Sequence, residues 1–188
     1  EEAMGPPKLS DSQGAKVQEP WLHTFLQGPT TIRPWLDIRM PTFNLTDNEI
    51  STITKYFLGL SKQELMIREY AATPVEEKYL APGRKLFEAY QCAKCHPSGP
   101  VRAGGELSAS ELAPNLTIAA SRLKPEWILS WLHDPQALQP GTRMPNFFFD
   151  GKGPDESVFG GEEQEQIKAL KTYVWSLGRS RRAVASSN

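Results

Sequence analysis

Cys92-Ala93-Lys94-Cys95-His96 is the stretch of this chain that carries recognisable chemistry. Two thiols with an imidazole directly after the second form the C-x-x-C-H pattern that attaches a c-type haem. The thiols add to the haem vinyl groups as thioethers, and the histidine lies under the iron as its proximal ligand. The spacing fits a turn at the end of a helix, where both sulfurs reach one edge of the ring and His96 reaches its face. Competing chemistries fit poorly. Cys92 and Cys95 are the only cysteines, and His23, His96 and His133 the only histidines, too few for the tetrahedral ligand set of a structural zinc. A thioredoxin-like redox motif calls for a βαβ pattern, which is missing here. A disulfide between such close residues would leave His96 unexplained.

The whole chain bounds the reading further. Its 188 residues allow one medium or two small domains. A hydrophobic content of 39% and a charged content of 23% are ordinary for a soluble protein. A net charge of -1 excludes the basic field of a nucleic-acid binder. No run approaches the ~18 apolar residues of a membrane span. The chain opens Glu1-Glu2-Ala3-Met4-Gly5, without an export signal. Bacterial c-type haem is attached outside the cytoplasm, so the expectation is a mature chain or a piece of a longer one.

The elements that must position the motif read as short helices between proline-rich connections. Residues 19–27 place Trp21, Leu22, Phe25 and Leu26 on one helical face, with Pro20 in the first turn and Gly28-Pro29 as the stop. A helix over about 46–58 opens on a Thr46/Glu49 capping box, buries Ile50, Ile53, Phe57 and Leu58, and ends at Gly59. A charged stretch containing a short helix, KQELMIREY, reads as a linker over 61–80. A helix from about Pro82 carries Leu86, Phe87 and Tyr90 towards Cys92, and residues 97–113 form a loop. Residues 125–133 are helical, with Trp127, Ile128, Trp131 and Leu132 on one face. The last helix, about 161–177, faces Ile167, Leu170, Tyr173, Val174 and Leu177 inward and stops at Gly178, leaving a loose polar tail over 179–188.

The chain also repeats itself. KVQEPWLHTFLQGP (16–29) lies over RLKPEWILSWLHDP (122–135), RMPTF (39–43) over RMPNF (143–147), and Pro7-Lys8-Leu9 over Pro114-Asn115-Leu116. It is one and a half copies of a unit, and only the second copy carries C-x-x-C-H. That second copy, residues 81–178, resembles a class I c-type cytochrome domain: a helix leading into Cys92-x-x-Cys95-His96, a Pro114-x-Leu116 segment, an Arg-Met-Pro loop and a closing helix rich in aromatics. The resemblance implies an all-α fold of short helices around one covalent haem c. It implies His96 and Met144 as the axial iron ligands, with Pro114, Leu116 and Trp127 at the cofactor, and the Pro114 carbonyl accepting from His96 Nδ1. His133 is the lesser alternative ligand and reads better as a helix-end polar residue. His23 reads as surface, and Met66 falls in the linker. Two departures stand out: a long loop between His96 and Pro114 containing Gly104-Gly105, and an insertion, 148–160, that reads as a docking loop or a solvated one.

Residues 1–60 are the partial copy, with Met40 in its Arg-Met-Pro loop but no attachment motif. Met40 is expected to ligate a second haem held upstream or by a partner subunit, as in a dihaem cytochrome; alternatively the half copy is a packing module with Trp21, Trp35, Met40 and Phe43 as core. So small a piece has little core of its own, so its aromatics must cover a haem, the other domain or another chain. The expected function is electron transfer by an extracytoplasmic, periplasmic protein with no turnover of its own. Its expected partners are redox proteins or subunits of a respiratory or photosynthetic membrane complex. A haem peroxidase would need a distal acid–base set, which is not visible. A haem sensor would release Met144, and the tail arginines Arg179, Arg181 and Arg182 would suit docking.

Overall fold

The structure is a computed structural model that describes residues 12–34, 39–64, 70, 73–99 and 113–185, with side chains as far as 178. Trp35, Met66, Gly104-Gly105, the Pro7-Lys8-Leu9 segment, most of KQELMIREY and the tail arginine side chains lie outside the described residues. The fold is all-α. Among the described residues, eight α-helices follow in order: α1 (Gln13–Lys16), α2 (Glu19–Gln27), α3 (Asp47–Leu60), α4 (Glu77–Ala89), α5 (Ala119–Arg122), α6 (Pro125–His133), α7 (Pro135–Leu138) and α8 (Glu163–Ala185). Short 3-10 turns occupy Cys92–Lys94, Leu116–Ile118 and Phe159–Gly161. Among the described residues, β pairing is limited to isolated bridges.

The repeat is written into the backbone. α2 and α6 both begin on a proline-containing first turn, after the extended residues Gln18 and Lys124. Gly28 closes α2 at φ -148°, ψ 89°, and Asp134 closes α6 at φ -146°, ψ 90°. The two copies meet along these equivalent segments. Val17 pairs with Leu123 in an antiparallel bridge. Gln18 N–H donates to Arg122 O and Lys124 N–H to Lys16 O, each at 2.9 Å. Lys16 Nζ then stands 4.5 Å from the Trp127 ring centroid, and the Arg122 guanidinium 5.1 Å from that of Trp21. The contacts are reciprocal, so the copies are related by a local two-fold axis through the bridge.

The haem-motif copy is organised by α4 crossing α8. A Cβ on Gly83 would lie 2.1 Å from Ala169 O, so only glycine lets the two backbones approach this closely. Leu86 and Phe87 from α4 pack with Ile167, Leu170 and Val174 from α8. Burying each such side chain contributes about 1.5–3 kcal/mol. A second cluster joins Tyr70, Trp127, Ile128 and Trp175.

Several expectations are corrected. α4 begins at Glu77 rather than at Pro82, because Tyr79 is buried and its hydroxyl donates to Glu165 Oε2 at 2.6 Å, anchoring an extra turn. The 61–80 linker is therefore not a free spacer, since Tyr70 also lies in the second cluster. In α3 the capping box forms, but the helix runs through Gly59 to Leu60, and the buried stripe is Ile50, Thr54 and Leu58, with Ile53 and Phe57 half-buried. α8 passes Gly178 and continues to Ala185, so the loose tail expected from Arg179 is helical over most of its length. Gly178 serves close packing instead: a Cβ there would lie 2.6 Å from Thr117 O. Trp175, 1% exposed, was not among the inward residues read from periodicity. The 148–160 insertion is mostly exposed, as expected of a solvated loop, but it is anchored to α8. Fully buried Gln166 donates to Asp155 O at 2.7 Å and Val158 O at 2.8 Å.

Candidate functional site

The end of α4 delivers the motif. Gln91 takes a left-handed conformation (φ 56°, ψ 34°), which turns the chain out of the helix. Its N–H bonds to Glu88 O at 3.0 Å, and its carbonyl accepts from Lys94 N–H at 2.9 Å, so both sides of the turn are held. Cys92–Lys94 form a 3-10 turn, closed by Cys95 N–H and His96 N–H donating to Cys92 O at 3.2 and 3.0 Å. Both thiols are free, with Cys92 half-buried and Cys95 exposed. Burial pushes the Cys92 thiol up to about 11.

His96 is half-buried, and its Nδ1 lies 2.8 Å from Pro114 O. A carbonyl can only accept, so Nδ1 carries the proton and the Nε2 lone pair is free to bind a metal. Burial holds the imidazole below its ordinary value, against the opposing pull of the Pro114 carbonyl. Pro114 is itself strapped to the residues after His96. Leu116 N–H donates to Pro97 O at 2.8 Å and Asn115 Nδ2 to Gly99 O at 2.7 Å. Leu116 and Cys92 both pack on the Leu86/Phe87 core.

Met144 sits in the loop after α7, which turns at Gly141 (φ 80°). Gln136 Nε2 donates to Thr142 O at 2.6 Å and Met144 O at 3.1 Å. Asn146 Nδ2 donates to Asp134 Oδ1 at 3.2 Å. The Met144 sulfur accepts from Trp131 Nε1–H at 2.8 Å. Trp131 stacks on Trp127 with centroids 4.9 Å apart, and Phe147 stacks on Tyr90 at 5.1 Å. Trp127 is buried, with its Nε1 lacking a partner among the described residues.

These donors suit a covalent haem: two free thiols on one turn, an imidazole with one nitrogen held and one free, a fixed thioether, and aromatic walls. Among the described residues no group of three or more His, Cys, Asp or Glu gathers to hold a bare metal ion. His133 is exposed and pairs through Nδ1 with Glu163, which employs it at the end of α6. His23 lies 3.8 Å from Asp47 on the surface of the first copy. Met40 is 41% exposed and Phe43 59%, so the first-copy loop is not core. The indole donor of Trp131 is a site residue that sequence reading placed only on a helix face; no spacing rule predicts an N–H aimed at a sulfur.

Compared with known proteins, residues 80–178 match the family model described as Cytochrome c. No curated protein and no solved structure gives a significant match.

Proposed function

The chain belongs to the cytochrome c family, and from that premise we propose that it passes single electrons through a low-spin haem held between His96 and Met144. Its cofactor is covalently bound haem c, and its activity is haem-based electron transfer. The haem supplies a one-electron couple at iron; this chain's residues set its position and environment. Cys92 and Cys95 tether one edge. Pro114 fixes the His96 tautomer and ring direction, leaving Nε2 as donor. Trp131 fixes the Met144 sulfur, and a soft thioether opposite an imidazole raises the reduction potential. With His96 and Met144 both supplied as donors, a bound haem would keep no position for substrate and would change charge with little rearrangement, which suits an electron carrier rather than an enzyme. The observation that carries this reading is the anchoring of both donors by their neighbours.

Its location is periplasmic or otherwise extracytoplasmic. Its partners are redox proteins or subunits of a respiratory or photosynthetic membrane complex. Among the described residues no helix is long and apolar enough to cross a membrane. The test is ligand exchange: reduced protein should resist carbon monoxide, whereas Met144→Ala should bind it and lose the sulfur-to-iron charge-transfer band of the oxidised form. Ready carbon monoxide binding by the unaltered protein would overturn the Met144 assignment.

A second reading, a dihaem cytochrome whose other haem is ligated by Met40 and attached upstream or by a partner subunit, is favoured by the exposure of Met40 and Phe43 in the loop equivalent to that of Met144 and Phe147. Haem stoichiometry by haemochrome absorbance, with intact mass on the same full-length polypeptide, decides it. One haem on a mass matching these residues would leave the first copy as a packing or docking module.

A further inference from the structure

The insertion over 148–160 carries a surface that the haem site does not use. Phe147, Phe148 and Phe149 are consecutive, and the first two turn inward: Phe147 stacks on Tyr90, and Phe148 is buried. Phe149 turns outward and is 67% exposed, and Phe159 is 39% exposed. Single exposed rings are ordinary on a protein surface. These two stand on adjoining turns that are held together. Asp150 and Gly151 both have positive φ, 53° and 74°, the pattern of a two-residue hairpin turn. Phe149 N–H donates to Lys152 O at 3.0 Å, and Lys152 N–H to Phe149 O at 2.9 Å. Lys152 bridges Glu162, and Gly153 N–H donates to Gly161 O at 2.8 Å, pinning this turn to the one that carries Phe159. Phe159 itself sits at φ 51°, a region that a bulky residue rarely takes.

The charges around these rings identify what covers them. Residues 149–162 carry four carboxylates, Asp150, Asp155, Glu156 and Glu162, against one ammonium, Lys152, in a chain whose whole net charge is -1. Asp150, Glu156 and Glu162 are exposed and, among the described residues, join no ion pair. Lys85 of α4 reaches Ser157 Oγ at 2.6 Å and leaves the balance negative. A partner that buries the rings must therefore bring positive charge to this rim. A second copy would set acid against acid, and an anionic lipid surface would repel it. The place is fixed relative to the haem-attachment turn. Tyr90, two residues before Cys92, donates to Gln166 Oε1 at 2.5 Å, and the same Gln166 side chain holds Asp155 O and Val158 O. Phe148 packs edge-on to Tyr90 at 6.1 Å. Electrons cross between proteins only over a short gap, and a partner seated here lies on the Cys92 side of the haem. We propose that Phe149 and Phe159, within their acidic rim, are the docking surface for a redox protein that presents an apolar patch ringed by lysines or arginines. This rests on the electron-transfer reading above.

The probe is zinc-substituted mitochondrial cytochrome c, whose lysines ring an apolar edge. Its photoexcited triplet gives one electron to ferric haem, oxidising the zinc porphyrin and reducing the iron. Full-length ferric holoprotein should quench the triplet with a rate constant that falls as salt is raised. Phe149→Ser should lower that constant about tenfold, as loss of a central aromatic anchor does, and keep its salt dependence. Asp150→Asn combined with Glu156→Gln should instead flatten the salt dependence. A constant unmoved by either variant overturns the proposal, as does one that rises with salt in the unaltered protein. Binding to phosphatidylcholine vesicles that Phe149→Ser abolishes would overturn it in favour of a lipid surface. A dimer in sedimentation equilibrium that Phe149→Ser dissolves would overturn it in favour of a second copy. Neutral lumiflavin semiquinone, a small reductant that needs no docking surface, should reduce all the proteins at one rate. Failure of the unaltered protein to take its electron would count against the electron-transfer reading and not against this surface.

Discussion

Trp131 carries two contacts at once: its ring stacks on Trp127, and its N–H donates to Met144 Sδ. A thioether sulfur has two lone pairs, so the bond to the indole would leave one for iron under the proposed ligation. There the bond would withdraw electron density, make the sulfur a weaker donor to ferric than to ferrous iron, and hold the potential up. Trp131→Phe keeps an aromatic ring there, as Phe25 does at the equivalent place in the first copy, and removes only the donor. A net hydrogen bond of about 1 kcal/mol corresponds to roughly a fivefold fall in the reduced-to-oxidised ratio at fixed ambient potential. Equilibrium redox titration reads it; an unchanged ratio would mean that the contact does not bear on the iron. His96 offers the contrast at the same scale. Its partner carbonyl at Pro114 is what the family resemblance implies, whereas a contact between an indole and a sulfur depends on how α6 is rotated.

Helix ends were legible in the sequence where local chemistry dictates them and illegible where tertiary contact overrides it. The Thr46/Glu49 box forms because both residues lie within one turn: Thr46 N–H donates to Glu49 Oε2 at 2.8 Å, and Glu49 N–H to Thr46 Oγ1 at 3.4 Å. Thr46→Ala should cost about 1 kcal/mol at neutral pH. Hydrogen bonds from the Thr46 backbone, then from its side chain, hold the Glu49 carboxyl below its ordinary value of 4.5. A carboxylate lowered in the folded state stabilises fully above that ordinary value and loses its contribution as pH falls through the lower folded value. The gap between the wild type and Thr46→Ala in thermal unfolding should therefore narrow, without closing, as pH falls through the lowered folded value, because the Thr46 hydroxyl still accepts from Glu49 N–H; a gap independent of pH would show that the Thr46 hydroxyl does not bear on the Glu49 carboxylate. Gly178 shows the opposite case. Read alone, a glycine after an amphipathic stretch is a stop; in the fold it is a point of close approach to Thr117. Gly83 is the more stringent example. Alanine gains ~1 kcal/mol of helix propensity over glycine, but its Cβ would stand 2.1 Å from Ala169 O, a backbone atom that cannot rotate away. Overpacking costs ~1–3 kcal/mol or more, so Gly83→Ala should lower the thermal midpoint of the holoprotein, and an unchanged or higher midpoint would contradict the tight α4/α8 crossing. Trp175 escaped notice for a related reason: α8 is covered on two sides, by α4 and by Tyr70 with α6, so its buried arc is wider than a single stripe.

The repeat announces two copies, but not how they meet, and their meeting decides whether the molecule behaves as one body. The seam is short: a bridge at Val17 and Leu123, two backbone hydrogen bonds, and reciprocal cations over Trp127 and Trp21. Gln18 holds it from within. Its side-chain Nε2 donates to Ala120 O at 3.0 Å and Leu123 O at 2.5 Å, and the residue is buried. The equivalent position in the second copy, Lys124, points instead to Glu19, so the local two-fold is broken at this pair. Gln18→Ala would leave buried carbonyls short of a donor at a cost of about 1–3 kcal/mol, concentrated where the copies join. The first copy has little core without the second, with α1 and α2 packed on α3 and its Arg-Met-Pro loop exposed. Scanning calorimetry of the wild-type holoprotein should therefore give one transition. In Gln18→Ala a low-temperature transition should separate, accompanied by faster amide exchange over α2 and α3 and unaltered exchange over α4. A single transition in the variant, shifted as a whole, would mean that the reciprocal contacts of Lys16 on Trp127 and Arg122 on Trp21 bind the copies more strongly than Gln18 does.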